Sequence, residues 1–291
     1  MPHGLDHIVH AVRDLDAAAE FYAVAGFTVG ARNRHPWGTH NRIVQLKNGY
    51  IEILEVAEPE KIVPHDARSF SFGSFHRDFL RQREGFSMLL LNSSDAARDA
   101  ASFEAAGIGG FDVFDFAREG SKPDGTPVKL AFSLAFARYP ASPDAGFAVC
   151  QHHFPENFWN PLFQTHGNGT TAALGVVLVA AEPAAHRPFL KAYAGASDLH
   201  ASSIGVTACT ANGEIDILEP ASFRDRFGVS PGVTGAGMTL GTLRFAVVDL
   251  AQVESLHRKN GVGSRRHAGR LVIPPDVAHG ATLIFEAAKE G

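Results

Sequence analysis

The sequence has little of what marks several large classes of protein. It contains only two cysteines, Cys150 and Cys209, which lie too far apart to suggest a metal-ligand pair or a disulfide framework. No apolar run is long enough to span a bilayer, and no cleavable signal is visible, so we expect no membrane segment. Charges of one sign form no long run and the formal net charge is −5, which argues against nucleic acid or an anionic membrane as a partner.

The remaining composition is that of a globular protein. The 291 residues are 45% hydrophobic, which is enough for a substantial core, and the length suggests about two domains. We therefore expect a soluble cytoplasmic protein. The 15 histidines are numerous, and most are expected at the surface or as capping partners.

The order of elements repeats along the chain. A short β-branched strand near the start leads into a helix that Asp14 caps and Gly26 ends. Three further strands are then predicted at residues 27–31, 41–46 and 50–56. The same βαβββ order is predicted to begin again at three apolar stretches, which start at Phe86, Leu174 and Gly241. In the second copy, the strand after the helix is predicted at residues 111–116.

Two segments fit none of the four copies. Residues 57–85 carry an aromatic run and form either a short helical insert that covers a pocket or a packed connector. Residues 154–171 contain a Gly-Asn-Gly turn and are predicted to link two halves. These predicted halves are residues 1–153 and 172–291. Their modules are predicted at about residues 1–56, 86–153, 172–220 and 238–291.

Several short motifs carry a family resemblance. In the first module they are Leu5-Asp6-His7-Ile8-Val9, Asp14-Leu15 with its helix, Gly26-Phe27 and Tyr50-Ile51-Glu52-Ile53-Leu54. These motifs resemble the vicinal oxygen chelate superfamily, the group of glyoxalase I, extradiol dioxygenases and bleomycin-resistance proteins. More narrowly, three stretches resemble the glyoxalase-like domain branch: the nine residues from Arg34 to Arg42, Gln151-His152-His153-Phe154-Pro155-Glu156 with Trp159, and His166-Gly167-Asn168-Gly169.

The resemblance implies an α+β fold in which four βαβββ modules pair into two cupped, barrel-like mixed sheets, as in glyoxalase and dihydroxybiphenyl dioxygenase. It also implies a metal inside a cup, held by residues of the first and fourth strands of a module. By position these residues are His7 and Glu52. An imidazole and a carboxylate suit Zn, Fe, Mn or Ni. A carboxylate on an apolar strand is also costly to bury unless it is paired or bound to metal.

The third ligand is expected from the other module of the N-terminal half. Strand alternation places Cys150 and His152 on one face and His153 on the other. His152 matches the resembling motif better, and His153 remains the alternative. The set of His7, Glu52 and His152 is a two-histidine, one-carboxylate site that leaves positions open for substrate or water.

Residues near the third strand of the first module are predicted at the mouth of the cup. His40 is expected to act as an acid or base there, or as a fourth ligand. Arg34, Arg42 and Trp37 suit an anionic or aromatic substrate at the rim of the cup, and the alternative is that they are surface residues. The predicted substrate-binding residues are Arg34, His35, Trp37 and Asn41.

The second half departs from the pattern of the family. Gly175 stands where His7 stands in the first module, and Arg244 is on the first strand of the fourth module. Asp216 and Glu286 remain on fourth strands. By resemblance, extradiol dioxygenases hold iron in the C-terminal half with histidines that this chain lacks. These differences argue against a standard extradiol dioxygenase and favour a site in the N-terminal half.

The sequence therefore predicts a metal-dependent lyase or isomerase whose small oxygenated substrate is chelated through vicinal oxygens. The alternative is a non-catalytic small-molecule binding or resistance-type protein of the same fold, and an atypical dioxygenase ranks third. The predicted partner is a small-molecule substrate, with no nucleic acid and no membrane, and a homodimer is a further expectation.

Overall fold

The computed structural model describes residues 2–121, 125–196, 199–231 and 237–288. Within these residues, sixteen strands form two sheets of eight strands each. The strands of the first sheet all precede residue 153, and those of the second sheet all follow residue 169.

The first sheet contains two modules side by side. Its strands are β1 (Leu5–Ala11), β2 (Asn33–Arg34), β3 (Thr39–Leu46), β4 (Gly49–Val56), β5 (Gly85–Ser93), β6 (Phe114–Ser121), β7 (Pro127–Ala137) and β8 (Gly146–His152). Their spatial order is β2-β3-β4-β1-β5-β8-β7-β6. Each module has one parallel pair, β1 with β4 and β5 with β8, and the antiparallel pair of β1 and β5 joins the modules.

The second sheet repeats this arrangement. Its strands are β9 (Thr170–Val179), β10 (Leu199–Ser202), β11 (Gly205–Cys209), β12 (Glu214–Leu218), β13 (Thr239–Val247), β14 (Arg265–His267), β15 (Arg270–Ile273) and β16 (Thr282–Ala287). The spatial order, β10-β11-β12-β9-β13-β16-β15-β14, matches that of the first sheet strand for strand. The predicted α+β fold of paired βαβββ modules in two mixed sheets is therefore confirmed.

The helices connect the strands of each module. They are α1 (Leu15–Val24), α2 (Phe72–Gln82), α3 (Ala96–Ala105), α4 (Pro155–Phe158), α5 (Arg187–Ala194), α6 (Pro220–Phe227) and α7 (Leu250–Asn260), with 3-10 helices at Pro59–Lys61 and Pro183–His186. Side chains of Asp14, Asp95 and Asp249 accept hydrogen bonds from first-turn N–H groups of α1, α3 and α7, as N-caps do. No helix in the described part of the chain is long and apolar enough to cross a membrane.

The strand predicted at residues 27–31 is wrong, because this stretch bonds to the segment between the halves. The Thr28 N–H donates to His166 Nδ1 (3.0 Å), a residue 138 positions away, and its hydroxyl donates to the Thr165 carbonyl (2.6 Å). The edge strand β2 is only two residues long and begins at Asn33. The β propensity of the stretch is overridden by these tertiary contacts.

The strand predicted at residues 111–116 begins only at Phe114. Phe111 instead packs its ring against Phe70 and Phe136, at centroid distances of 5.5 and 6.4 Å. Phe70 belongs to the segment at residues 57–85, which also contains α2. Phe70 of that segment therefore packs against the second module of the first sheet.

The two sheets pack back to back through one shared apolar core. Phe27 of the first half lies 5.3 Å from Phe245 of the second half, measured between ring centroids. The Tyr193 hydroxyl of α5 donates to the carbonyls of Leu89 (2.7 Å) and Ala148 (3.0 Å) in the first sheet. Side chains that alternate with this core project from the opposite, concave face of each sheet.

A histidine buried on the core side makes stability depend on pH. His10 Nε2 donates to the His279 carbonyl, and its Nδ1 accepts from the Tyr22 hydroxyl, both at 2.9 Å. Burial lowers the pKa of His10 from 6.5 to about 4. Between these values the unfolded chain takes up a proton that the folded chain does not. We therefore expect the free energy of unfolding to decrease as the pH is lowered. His10 should account for about 2.5 kcal/mol of this decrease at about pH 4.5.

The measurement is urea denaturation at neutral pH and at about pH 4.5, for the wild type and for His10→Gln. The loss of stability on acidification should be smaller in the variant by the stated amount. An equal loss in both proteins would contradict the assignment.

Candidate functional site

The concave face of the first sheet forms a cavity with about 600 Å³ of space not filled by atoms, part of it open to solvent. Its walls are mostly aromatic rings: Trp37, Tyr50, Phe114, Phe116, Phe132 and Phe158. Lining residues come from β3 and β4 near one end of the sheet and from β6 at the other, so the sheet curls into a half-barrel. The polar lining residues are His7, His35, Asn41, Glu52 and Arg118.

A β-bulge in β1 brings two neighbouring polar residues together. Leu5 pairs with Leu91 of β5 and His7 pairs with Leu90, so Asp6 has no opposite residue of its own. Neighbouring side chains of a regular strand point to opposite faces, and a bulge interrupts that alternation. The Asp6 and His7 side chains are consequently in contact, and His7 Nδ1 donates to Asp6 Oδ1 at 2.5 Å.

His7 and Glu52 face each other across a short gap. Glu52 pairs with Val9 of β1, so its side chain projects from the same face as that of His7. His7 Nε2 and Glu52 Oε2 are 3.8 Å apart, which is too long for a hydrogen bond. In the neutral tautomer with its proton on Nδ1, where Asp6 accepts it, His7 has a free lone pair on Nε2. The gap is shorter than two metal–ligand bonds of about 2.1 Å each, so both atoms can bind one ion.

Burial makes the ionised form of Glu52 unfavourable unless a positive charge lies nearby. Burial raises the pKa of Glu52, and the charges of His7 and Arg118 and a hydrogen bond from Asn41 only partly oppose this rise. Asn41 Nδ2 donates to Glu52 Oε1 at 2.5 Å, and this contact leaves Oε2 for the gap. A divalent cation in the gap would compensate a carboxylate that burial otherwise disfavours.

His35 is a neutral imidazole beside this carboxylate. Its Nδ1 donates to Thr39 Oγ1 (2.8 Å), and its Nε2 accepts from Asn41 Nδ2 (3.3 Å). Burial, helped by the charge of Arg118, lowers the pKa of His35 to about 3. Its ring stacks on Trp37 with 4.6 Å between the centroids. His35 can thus hold a polar group in the cavity without bringing a charge.

His152 contacts Asp6 and lies outside the cavity lining. Its Nε2 donates to Asp6 Oδ2 at 3.0 Å. Burial alone would raise the pKa of Asp6, but the charges and hydrogen bonds of His152 and His7 hold it at about 2. The other ring nitrogen of His152, Nδ1, is buried and has no hydrogen-bond partner among the described residues. The structure therefore joins His152 to the anion that orients His7, and not to the gap itself.

Some of the other site residues predicted from the sequence line the cavity, and others do not. Asn41 lines the cavity, so His40 points to the other side, where its Nε2 donates to Glu58 (3.2 Å) and Arg32 donates to its Nδ1 (3.1 Å). Arg34 is exposed on β2 and does not line the cavity, whereas His35 and Trp37 do. His153 contacts the Ser133 hydroxyl at 2.7 Å and is also absent from the lining.

Three residues at the cavity were missed from the sequence. Asp6 was given no role, because the bulge that turns it toward His7 is not visible in a pattern of alternating residues. Arg118 lies on β6, beyond the end of the strand predicted there. Cys150 has its Sγ within 4.8 Å of ligand atoms of Asp6 and His7, and burial raises the pKa of its thiol. The sequence placed Cys150 on the same strand face as His152 but did not reveal its proximity to His7.

The second sheet carries an ion-pair network at the corresponding place. Gly175 pairs with Glu214, and Asp216 pairs with Val177, which is the pairing that His7 and Glu52 follow in the first sheet. Arg244 donates from Nη1 to Glu214 (2.9 Å) and from Nε to Glu286 (2.7 Å), and its Nη1 lies 3.5 Å from Asp216. The guanidinium thus supplies the positive charge on this face.

A half-barrel of paired βαβββ modules, with polar residues of the first and fourth strands in its hollow, is the architecture of the vicinal oxygen chelate superfamily. Residues 5–194, more than half of the chain, match the model of the glyoxalase-like domain. The chain belongs to the glyoxalase-like domain family. No curated protein sequence is significantly similar to it.

Solved structures share the fold at low sequence identity. A hypothetical protein from Staphylococcus aureus has a TM-score of 0.68 at 13% identity, over 98% of this chain and 99% of its own. A mutant 4-hydroxymandelate synthase from Streptomyces coelicolor has a TM-score of 0.58 at 12% identity, over 100% and 95%. The Mn(II)-bound glyoxalase from Novosphingobium aromaticivorans has a TM-score of 0.56 at 12% identity, over 99% and 83%. At these identities the likeness concerns the fold alone.

Proposed function

We propose that the protein is a divalent-metal-dependent enzyme that acts on a small oxygenated molecule bound in the cavity of the first sheet. The observation that carries this proposal is the buried pair of His7 Nε2 and Glu52 Oε2, 3.8 Å apart in a mostly aromatic hollow. The donors fit Zn, Fe, Mn or Ni. The Mn(II)-bound glyoxalase of similar fold supports the choice of metal chemistry.

The residues around the pair have separate tasks in this proposal. His7 and Glu52 hold the ion, and Asp6 fixes the tautomer and orientation of His7 through its Nδ1–H. His152 keeps Asp6 ionised and in place, so it is a positioning residue instead of the third ligand predicted from the sequence. An ion held by His7 and Glu52 would supply Lewis-acid stabilisation of negative charge on adjacent oxygens of the substrate.

The walls complete the proposed site. The neutral His35 ring and the aromatic side chains exclude water around the substrate and restrict its orientation. His40 lies in the network with Arg32 and Glu58, so we leave it out of the proposed machinery. Lyase or isomerase chemistry is preferred to dioxygenation because Gly175 and Arg244 replace the histidines expected on first strands of the second sheet.

The test is elemental analysis of the purified protein. We expect about one first-row metal ion per wild-type chain and loss of this ion in His7→Ala, because the variant removes one of the two buried donors. The matched control is His200→Ala, since His200 is exposed on β10, a strand of the second sheet, whereas the cavity lies on the first sheet. It should retain the metal.

A metal-free wild type that cannot be loaded with Zn, Fe, Mn or Ni would overturn the proposal, as would metal retention by His7→Ala. Metal-free protein that still binds small aromatic molecules would favour the non-catalytic binding protein of the same fold.

A further inference from the structure

Arg118 brings a positive charge into the cavity without a partner of its own. It lies on β6, and its side chain lines the hollow together with Phe116, which is two residues earlier on the same strand. It makes no hydrogen bond and no ion pair within 4 Å with any residue that the structure describes. Arg244, on the concave face of the other sheet, is bound by carboxylates instead.

Arg118 is partly buried, and the walls beside it on the cavity side are aromatic. Phe116 stacks on Phe132 across the β6–β7 pair, with 6.1 Å between the centroids and 13° between the planes. Burial lowers the pKa of Arg118, the charges of Tyr50 and Glu52 only partly oppose this, and Glu52 is itself hydrogen-bonded by Asn41. A guanidinium in such a place is stabilised when an anion binds to it, and its planar fork matches a carboxylate through two parallel hydrogen bonds.

The two features together define a ligand chemistry. We infer that the cavity binds a small carboxylic acid with a flat, apolar body, whose carboxylate pairs with Arg118 and whose body lies between the aromatic walls. This inference rests on the proposed function, in which the oxygens at the other end of the molecule reach His7 and Glu52. It assigns the anionic anchor to Arg118, and not to Arg34 or Arg42, the arginines suggested by the sequence.

The experiment compares benzoate with benzamide as probes of the metal-free protein, after dialysis against a chelator. Binding is followed by isothermal titration and by the fluorescence of tryptophan, since Trp37 lines the cavity. We expect the wild type to bind benzoate at least about tenfold more tightly than benzamide, which has the same shape and no charge. Arg118→Met should lose this preference, and Arg118→Lys should keep part of it.

The control variant is Arg34→Met, which removes an exposed arginine outside the cavity and should bind both probes as the wild type does. Circular dichroism identifies any variant that fails to fold. If Arg118→Met does not fold, Arg118→Lys is the deciding variant, because its partial loss of the benzoate preference tests whether the planar fork of the guanidinium matters. Equal binding of the two probes by the wild type would overturn the inference. Retention of the benzoate preference by Arg118→Met would do the same.

A second arm separates this inference from the proposed function. The titrations are repeated with Mn²⁺ present, in the wild type and in Glu52→Gln. Benzoate binding that needs Mn²⁺ and ignores Arg118 would place the carboxylate at the ion and overturn the inference while supporting the metal site. Benzoate binding that depends on Arg118 in a protein that binds no metal would support the anchor and contradict the metal-dependent enzyme.

Discussion

Replacing Glu52 with Gln will weaken Mn²⁺ binding by at least about 100-fold, while the metal-free protein stays as stable as the wild type or becomes more stable. Loss of a residue that only supports a metal ligand already costs about 10–100-fold in affinity, so loss of a charged ligand should cost at least as much. Gln keeps the shape of the side chain and an oxygen that can accept the Asn41 hydrogen bond.

The expected stability follows from the direction of the pKa shift. Burial raises the pKa of Glu52, so the folded state binds a proton more readily than the unfolded state does. Ionisation at neutral pH therefore disfavours the fold, and removal of the charge relieves this cost. A residue that is kept at the expense of stability is typical of a functional site.

The measurements for this variant are Mn²⁺ titration by calorimetry and urea denaturation in the presence of a chelator. The control is Glu55→Gln, three residues further along β4, where the side chain contacts Arg32 and the Leu15 N–H outside the cavity. It should bind Mn²⁺ like the wild type. If Glu52→Gln bound Mn²⁺ normally and unfolded more easily than the wild type, the carboxylate would have a structural role only.

Replacing Arg244 with Met is expected to lower the free energy of unfolding by about 3–5 kcal/mol. Arg244 is only 7% exposed and sits among Glu214, Asp216 and Glu286. Burial lowers the pKa of Arg244, but these carboxylates outweigh it and raise the pKa above the ordinary value. Without the guanidinium, the negative charges of these acids are not fully compensated, and this cost lowers the stability of the folded state.

Urea denaturation at neutral pH measures this effect. Arg224→Met is the matched control, because Arg224 is exposed on α6 and its loss should change stability by no more than about 0.5 kcal/mol. A loss below about 1 kcal/mol in Arg244→Met would show that Arg226 and Arg270, which contact Asp216 and Glu286, are sufficient on their own.

The fold could be predicted from the sequence because its signals are local. An aspartate before each of three helices, a glycine after each of these helices, and apolar strands at each restart define the modules without long-range information. Edge strands could not be predicted as well. Residues 27–31 have strand propensity, but Thr28 bonds to a segment that the local sequence does not reveal.

The candidate site was predicted only in part, for a reason that lies in strand geometry. His7 and Glu52 share a face because parallel strands pair in register, and His35, Trp37 and Asn41 line the same cavity. Alternation by itself would turn Asp6 away from His7, and only the bulge in β1 reverses it.

The sequence by itself determined the four modules and the strand positions of the imidazole and the carboxylate, because caps, turns and alternation act over a few residues. Only the tertiary structure decided which groups complete the hollow. The curl of the first sheet brings Arg118 from the far edge strand toward Glu52, and the bulge turns Asp6 toward His7 and His152. Asp6 and His152 are 146 positions apart, and no local pattern encodes that such residues will meet.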